Sequence, residues 1–190
     1  MTTQEGSRYV GPYTVLHSRP VYENPWMKVR EDRIIRPGGP EALFGVVTMK
    51  PGVSVLPLDT SGDVHLVREF KYGLGAATLE VVSGAIESGE TPEHAGLREL
   101  AEEVNLIASE WVDMGLINPF TTVVNSPNHM FLARGLSKVR RQTQADATIE
   151  VVTMPFSKAL QAVLDGTITH GASCVLILKA AIYLERSASR

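Results

Sequence analysis

The stretch Gly84 to Leu106, GAIESGETPEHAGLRELAEEVNL, joins a glycine turn, a capped helix start and three closely spaced glutamates. Thr91-Pro92-Glu93 reads as a helix beginning. A hydroxyl sits at the cap, a proline takes the first helical position where its missing N–H costs nothing, and an acid lies near the positive end of the dipole. The helix is expected to run to about Val104. At about 100° per residue, Glu99, Glu102 and Glu103 fall on one side, and Leu97, Leu100, Ala101 and Val104 fall on the other. Ala95 and Gly96 lie a turn earlier on the acidic side, which leaves room for a loop or ligand. Like charges at these spacings repel, and a hard divalent cation removes that repulsion. Oxygen ligands of this kind suit Mg²⁺ or Mn²⁺. Taken alone, RELAEEV reads as an ordinary solvated helix face.

At 190 residues, with 44% hydrophobic and 21% charged, the chain supports one globular core rather than two. A net charge of −3 argues against a nucleic-acid partner bound by bulk positive charge, so the expected ligand is a small molecule. The single cysteine, Cys174, lies in an apolar helical run, which implies burial rather than catalysis. No charged-then-apolar leader opens the sequence and no apolar run reaches membrane length, so the expected compartment is the cytoplasm, with no membrane partner.

Residues 1–12 read as a loose leader. Strands are expected at Tyr13 to His17 and Trp26 to Ile35, with a turn at Arg36-Pro-Gly-Gly-Pro40. This gives an N-terminal β-segment, 1–40, set before a main domain, 41–190. Ala42 to Met49, Val53 to Leu58, Val64 to Phe70 and Thr78 to Val82 form a meander that feeds the glycine turn. Further strands are expected at Trp111 to Ile117, His129 to Ala133 and Ile149 to Met154, with helices at Ser157 to Leu164 and Ala172 to Leu184. The span 135–147 reads as a solvated connection. The loop Asn118 to Asn128 contains no carboxylate.

Gly84, five residues, Glu90, seven residues and then Arg98-Glu99-Leu100-Ala101-Glu102-Glu103-Val104-Asn105-Leu106 match the Nudix box, G-x5-E-x7-R-E-U-x-E-E-x-G-U, where U is a bulky aliphatic. The one departure is Asn105 for glycine. Asn is the next-best residue for a left-handed helix end, so the cap is expected to survive. From about Tyr13 to Leu184 the chain resembles the ADP-ribose pyrophosphatase branch of that superfamily. Two runs depart from that branch. Arg68-Glu69-Phe70-Lys71 stands for Lys/Arg-Gln-aromatic-Arg, and Glu80-Val81-Val82-Ser83-Gly84 stands for Glu-x-Pro-Ala-Gly.

The resemblance implies an α/β fold, a Nudix α/β/α sandwich around a mixed β-sheet with the additional N-terminal β-segment. It also implies cation-dependent hydrolysis of a nucleoside diphosphate linked to another group. By matching position, Glu99, Glu102 and Glu103 would be catalytic metal ligands, the Ser83 carbonyl a further ligand and Arg98 the residue that orients a glutamate. Gly84 and Glu90 would shape the loop, and Glu80 would line the substrate site.

Arg68 and Lys71 can meet phosphates or simply end a polar strand. Trp26 can stack on a base or anchor an interface. His129 can act as a base or be structural. The apolar side chains of Tyr13 to Ile35 suggest a homodimer. The leading reading is a pyrophosphatase for ADP-ribose or a related nucleotide sugar. The alternatives are a Nudix hydrolase for dinucleoside polyphosphates, NADH or nucleoside triphosphates, and a nucleotide-sensing domain that hydrolyses poorly.

Overall fold

The structure is a computed structural model that describes residues 8–139 and 148–188. In chain order the strands and first helix are β1 Arg8–Val10, β2 Tyr13–Glu23, β3 Met27–Ile35, β4 Glu41–Met49, β5 Gly52–Pro57, β6 Asp63–Lys71, β7 Ala76–Glu80, β8 Val82–Ala85 and α1 Pro92–Val104. They are followed by β9 Leu106–Ile117, β10 Val124–Asn125, β11 Asn128–Lys138, β12 Glu150–Pro155, α2 Phe156–Leu164 and α3 Gly171–Ala188. Two compact units result: residues 1–50 with 120–126, and residues 51–119 with 127–190.

The first unit is one sheet in the order β1-β2-β3-β4-β10, antiparallel except for the β4–β10 pair. The expected segment 1–40 therefore continues without a break into β4. Asn24 turns β2 into β3, its Oδ1 accepting the backbone N–H groups of Trp26 and Met27 at 2.9 and 2.8 Å. Pro20 cannot donate to the ladder, and the β2–β3 register shifts between Pro20 and Tyr22 to accommodate it. In the Arg36-Pro37-Gly38-Gly39 turn, Gly38 takes φ +65° and the Gly39 N–H reaches the Arg36 carbonyl at 3.0 Å. Pro at the second position and Gly at the third are what a type II turn requires.

The second unit has a mixed sheet, β8-β5-β11-β9, in which β5 and β11 run parallel, and an antiparallel sheet, β12-β6-β7. Strand alternation divides its core in two. Val53, Val55, Phe131 and Ala133 pack with Ala95, Leu100 and Val104 of α1. Leu56, Leu58, Met130 and Leu132 pack with Ala159 of α2 and Leu176, Ile177 and Ala180 of α3. Helices therefore cover side chains from both sides of the strands, which is why β5 is buried on both faces from Val53 to Pro57.

Several expectations give way to longer pairing. Part of the expected leader forms β1, and Gly135–Lys138, expected in a connection, extend β11 against β9. Residues 1–7 of that leader and 140–147 of that connection lie outside the described residues. No described helix is long and apolar enough to cross a membrane.

Candidate active site

Strand β8 and helix α1 build the site together. β8 pairs with β5 from Val55↔Val82 to Gly52↔Ala85, which fixes Ser83 and Gly84 at the sheet edge. The chain then turns through Gly89, at φ +83°, into the capped helix start. The Thr91 hydroxyl accepts the His94 N–H at 3.2 Å. At the other end Asn105 is left-handed, at φ 56° and ψ 36°, and its N–H caps the Leu100 carbonyl. Asparagine here does the work of the family glycine.

Arg98 ties the loop to the helix. Its Nε and Nη2 donate to the two Glu90 oxygens, each at 3.1 Å, and Nη2 also donates to the Ala85 carbonyl at 2.9 Å. Its Nη1 reaches Glu99 Oε1 at 2.6 Å and Glu102 Oε2 at 3.2 Å. The hydrogen bond from Arg98 holds the Glu90 carboxyl below its ordinary range, and Glu90 in turn raises the guanidinium. Glu90 also accepts the Glu87 N–H at 3.1 Å, so it supports the loop directly.

The three acids separate by environment. Glu99 and Glu103 are half-sunk beside β8, whereas the Glu102 side chain is 49% exposed and held by Arg98. Glu103 accepts the Ser83 N–H at 3.2 Å. Glu99 lies so close to Gly84 that a Cβ there would stand 1.9 Å from its Oε1. Burial raises the Glu99 carboxyl, opposed by Arg98. Burial, with the charge of Glu99, pushes Glu103 up to about 8. Two oxygen-bearing side chains that resist ionisation beside each other suit a hard divalent cation. Among the described residues, no three His, Cys, Asp or Glu side chains converge tightly enough to cage an ion unaided. Further oxygen would come from the Ser83 carbonyl, a substrate or water.

The room expected beside Ala95 and Gly96 is filled. Both are buried, and a Cβ on Gly96 would meet Trp111 and Val55 at 3.2 Å each. Gly96 lets α1 lie close on the sheet, which carries the flanking glutamates down to β8.

An open cleft of about 720 Å³ lies beside these groups, lined by Lys71, Thr78, Glu80, Ser83, Asn128 and His170 among others. Lys71 reaches it and Arg68 does not. The two residues project to opposite sides of β6, and Arg68 pairs outward with Glu150 of β12 at 3.5 Å. Lys71 Nζ lies 2.5 Å from Glu69 and 3.7 Å from Glu80; burial would lower its pKa, but these acids hold it raised.

Glu80, 5% exposed, already has both oxygens engaged. Oε1 accepts the Thr78 hydroxyl at 2.6 Å, and Oε2 lies 3.2 Å from His170 Nδ1. The side-chain oxygen of Asn128 is buried without a hydrogen-bond partner. Sequence reading missed His170 and Asn128, which belong to no local motif and reach the cleft only through the fold. His129 follows Asn128 on β11 and is not among the residues lining the cleft. Trp26, 68% exposed, sits at the β2–β3 turn of the first unit.

The NUDIX domain model matches residues 48–170, and the model described as a nucleoside diphosphate sugar hydrolase N-terminal domain matches residues 13–47. The chain belongs to the Nudix family. An ADP-ribose pyrophosphatase of Bacillus subtilis is 30% identical to this Nudix chain over 135 residues, which is 67% of the chain and 70% of the relative. One of Mycobacterium tuberculosis is 26% identical over 172 residues, 87% of the chain and 82% of the relative. A crystal structure described as an ADP compounds hydrolase superposes with a TM-score of 0.80, covering 95% of this chain and 98% of that one at 18% identity. That last likeness shows the Nudix fold.

Proposed function

We propose that this Nudix chain is a cytoplasmic, homodimeric pyrophosphohydrolase dependent on Mg²⁺ or Mn²⁺. Its substrate is a nucleoside diphosphate linked to a second group, ADP-ribose or a related nucleotide sugar, and its products are a nucleoside monophosphate and a sugar phosphate. The observation that carries this reading is the half-buried Glu99 and Glu103 pair packed against Gly84 and Ser83 at the edge of a cleft that holds Lys71. The names of the two pyrophosphatase relatives support the substrate class.

Glu99, Glu103 and the Ser83 carbonyl would hold the cation, with Glu102 completing the set when Arg98 releases it. When bound, the cation neutralises pyrophosphate oxygens and acidifies water. The protein does the rest. Arg98 and Glu90 keep the carboxylates in place, and Lys71 takes a substrate phosphate by a charge-assisted hydrogen bond. Gly84 lets the carboxylates approach the backbone.

The test is a panel of ADP-ribose, other nucleotide sugars, dinucleoside polyphosphates, NADH and nucleoside triphosphates with Mg²⁺ or Mn²⁺. The readout is phosphate freed from the products by an added phosphatase. Hydrolysis of ADP-ribose ahead of the others is expected, with Glu103→Gln lowering kcat by about two orders of magnitude or more. Lys71→Ala should raise KM about 10- to 100-fold, while Arg68→Ala should leave it near wild type. A wild-type protein inert toward the whole panel would overturn the reading.

A further inference from the structure

We propose that His170, oriented by Glu80, is the base that takes the proton from the attacking water in this cleft, an inference that rests on the pyrophosphatase reading. His170 stands at the start of α3, where its carbonyl accepts the Cys174 N–H at 3.0 Å, so its backbone is fixed by the helix. Its Nδ1 lies 3.2 Å from Glu80 Oε2 and 2.9 Å from the hydroxyl of Ser173. Ser173 is fully buried and accepts the Val81 N–H at 3.0 Å, which anchors this corner to the strand leading into β8. The Glu80 carboxylate favours the tautomer with its proton on Nδ1, and in that tautomer Nδ1–H can donate to the Ser173 hydroxyl. In the neutral ring Nε2 is then the acceptor.

The side chain lines the same cleft as Ser83, Gly84 and Asn128. Other candidates there are committed elsewhere. Glu80 is buried with both oxygens engaged, Lys71 is held protonated by Glu69 and Glu80, and the loop Asn118 to Asn128 offers no carboxylate. The charged groups that face His170 are Glu80 of β7 and Lys71 of β6. Burial and Lys71 outweigh Glu80 and keep its pKa below the ordinary histidine value, so the neutral ring predominates at physiological pH.

In the step, the water oxygen bonds to phosphorus as the bond from that phosphorus to the bridging oxygen breaks. The water proton passes to His170 Nε2, and the electron pair leaves on the bridging oxygen with the departing phosphate. Glu80 is a positioning residue that stabilises the imidazolium as it forms.

The experiment measures kcat and KM against pH with ADP-ribose and Mg²⁺ for wild type, His170→Ala, His170→Asn and Glu80→Gln. Folding is checked by thermal melts and Mn²⁺ binding by calorimetry. His170→Asn keeps a donor toward Glu80, so it stands in if the alanine variant fails to fold. Both His170 variants are expected to lose about a hundredfold in kcat with KM little changed. They should also lose the acid limb of the kcat profile, with partial rescue by added imidazole. Glu80→Gln should move that limb to lower pH, because the carboxylate no longer favours the imidazolium. An active wild type whose folded His170 variants stay within about threefold in kcat, lose only KM, or keep the acid limb would overturn the inference alone. A wild type inert toward every nucleotide would overturn the pyrophosphatase reading, and this inference with it.

Discussion

Gly84 has no space for a side chain, because the Glu99 carboxylate occupies the position a Cβ would take. Its backbone needs no positive φ, so the requirement is close approach rather than conformational freedom. Gly84→Ala should therefore fold, expel Glu99 from β8 and weaken Mn²⁺ binding about tenfold or more, as read by calorimetry. Glu103 sets a second expectation. Its folded pKa, near 8, lies above that of the unfolded carboxyl, so between about pH 4.5 and 8 the folded chain binds more protons than the unfolded one. Stability of the metal-free protein should fall as pH rises through that window, and Glu103→Gln should flatten the dependence. Cation binding has the opposite sign. On the proposed ligand set, a cation would displace the Glu103 proton below about pH 8, so its affinity should rise with pH and then level off. Urea midpoints in a chelator and Mn²⁺ titrations at pH 6 and 8.5 would check both.

At the scale of elements, α1 shows how a short pattern positions a site. The Thr91 cap and the left-handed Asn105 fix its two ends, and Gly96 brings it down onto Val53, Val55 and Trp111. Asn105→Gly should be neutral or slightly stabilising. Asn105→Ala should cost about 1 kcal/mol in chemical denaturation, since alanine enters the left-handed region near φ +56° less readily than asparagine. Strand β6 makes a different selection. Its two-residue period sends Lys71 to the cleft and Arg68 toward β12. Their closeness in sequence does not distinguish the two, but their parity along the strand does.

For the whole molecule, the first unit is a single sheet with few buried side chains of its own, Val15, Ile34 and Asp32 among them. Tyr9, Val21, Tyr22, Trp26 and Leu43 are all exposed, by 53 to 69%. A sheet with this much apolar surface is expected to be covered by a second copy. Light scattering at micromolar concentration should give twice the chain mass of 20.7 kDa. Replacing Val21 and Leu43 with charged residues should shift the protein toward monomer. A wild-type mass equal to one chain would remove the dimer from the proposal.

The spacing of Gly84, Glu90, Arg98, Glu99, Glu102 and Glu103 fixed the family, the helix boundaries and the candidate cation ligands, because one loop and one helix carry all of them within 20 residues. Local caps and turn residues act over a few positions, so they could be read without the rest of the chain. The inward packing of Ala95 and Gly96, the choice of Lys71 over Arg68 and the length of β9 and β11 depend on which neighbours the sheets supply. His170 lies 90 residues from Glu80 along the chain, and no periodicity links them. They meet where the Ser173 hydroxyl of α3 accepts the N–H of Val81, just past the end of β7, a long-range contact that tertiary packing decides.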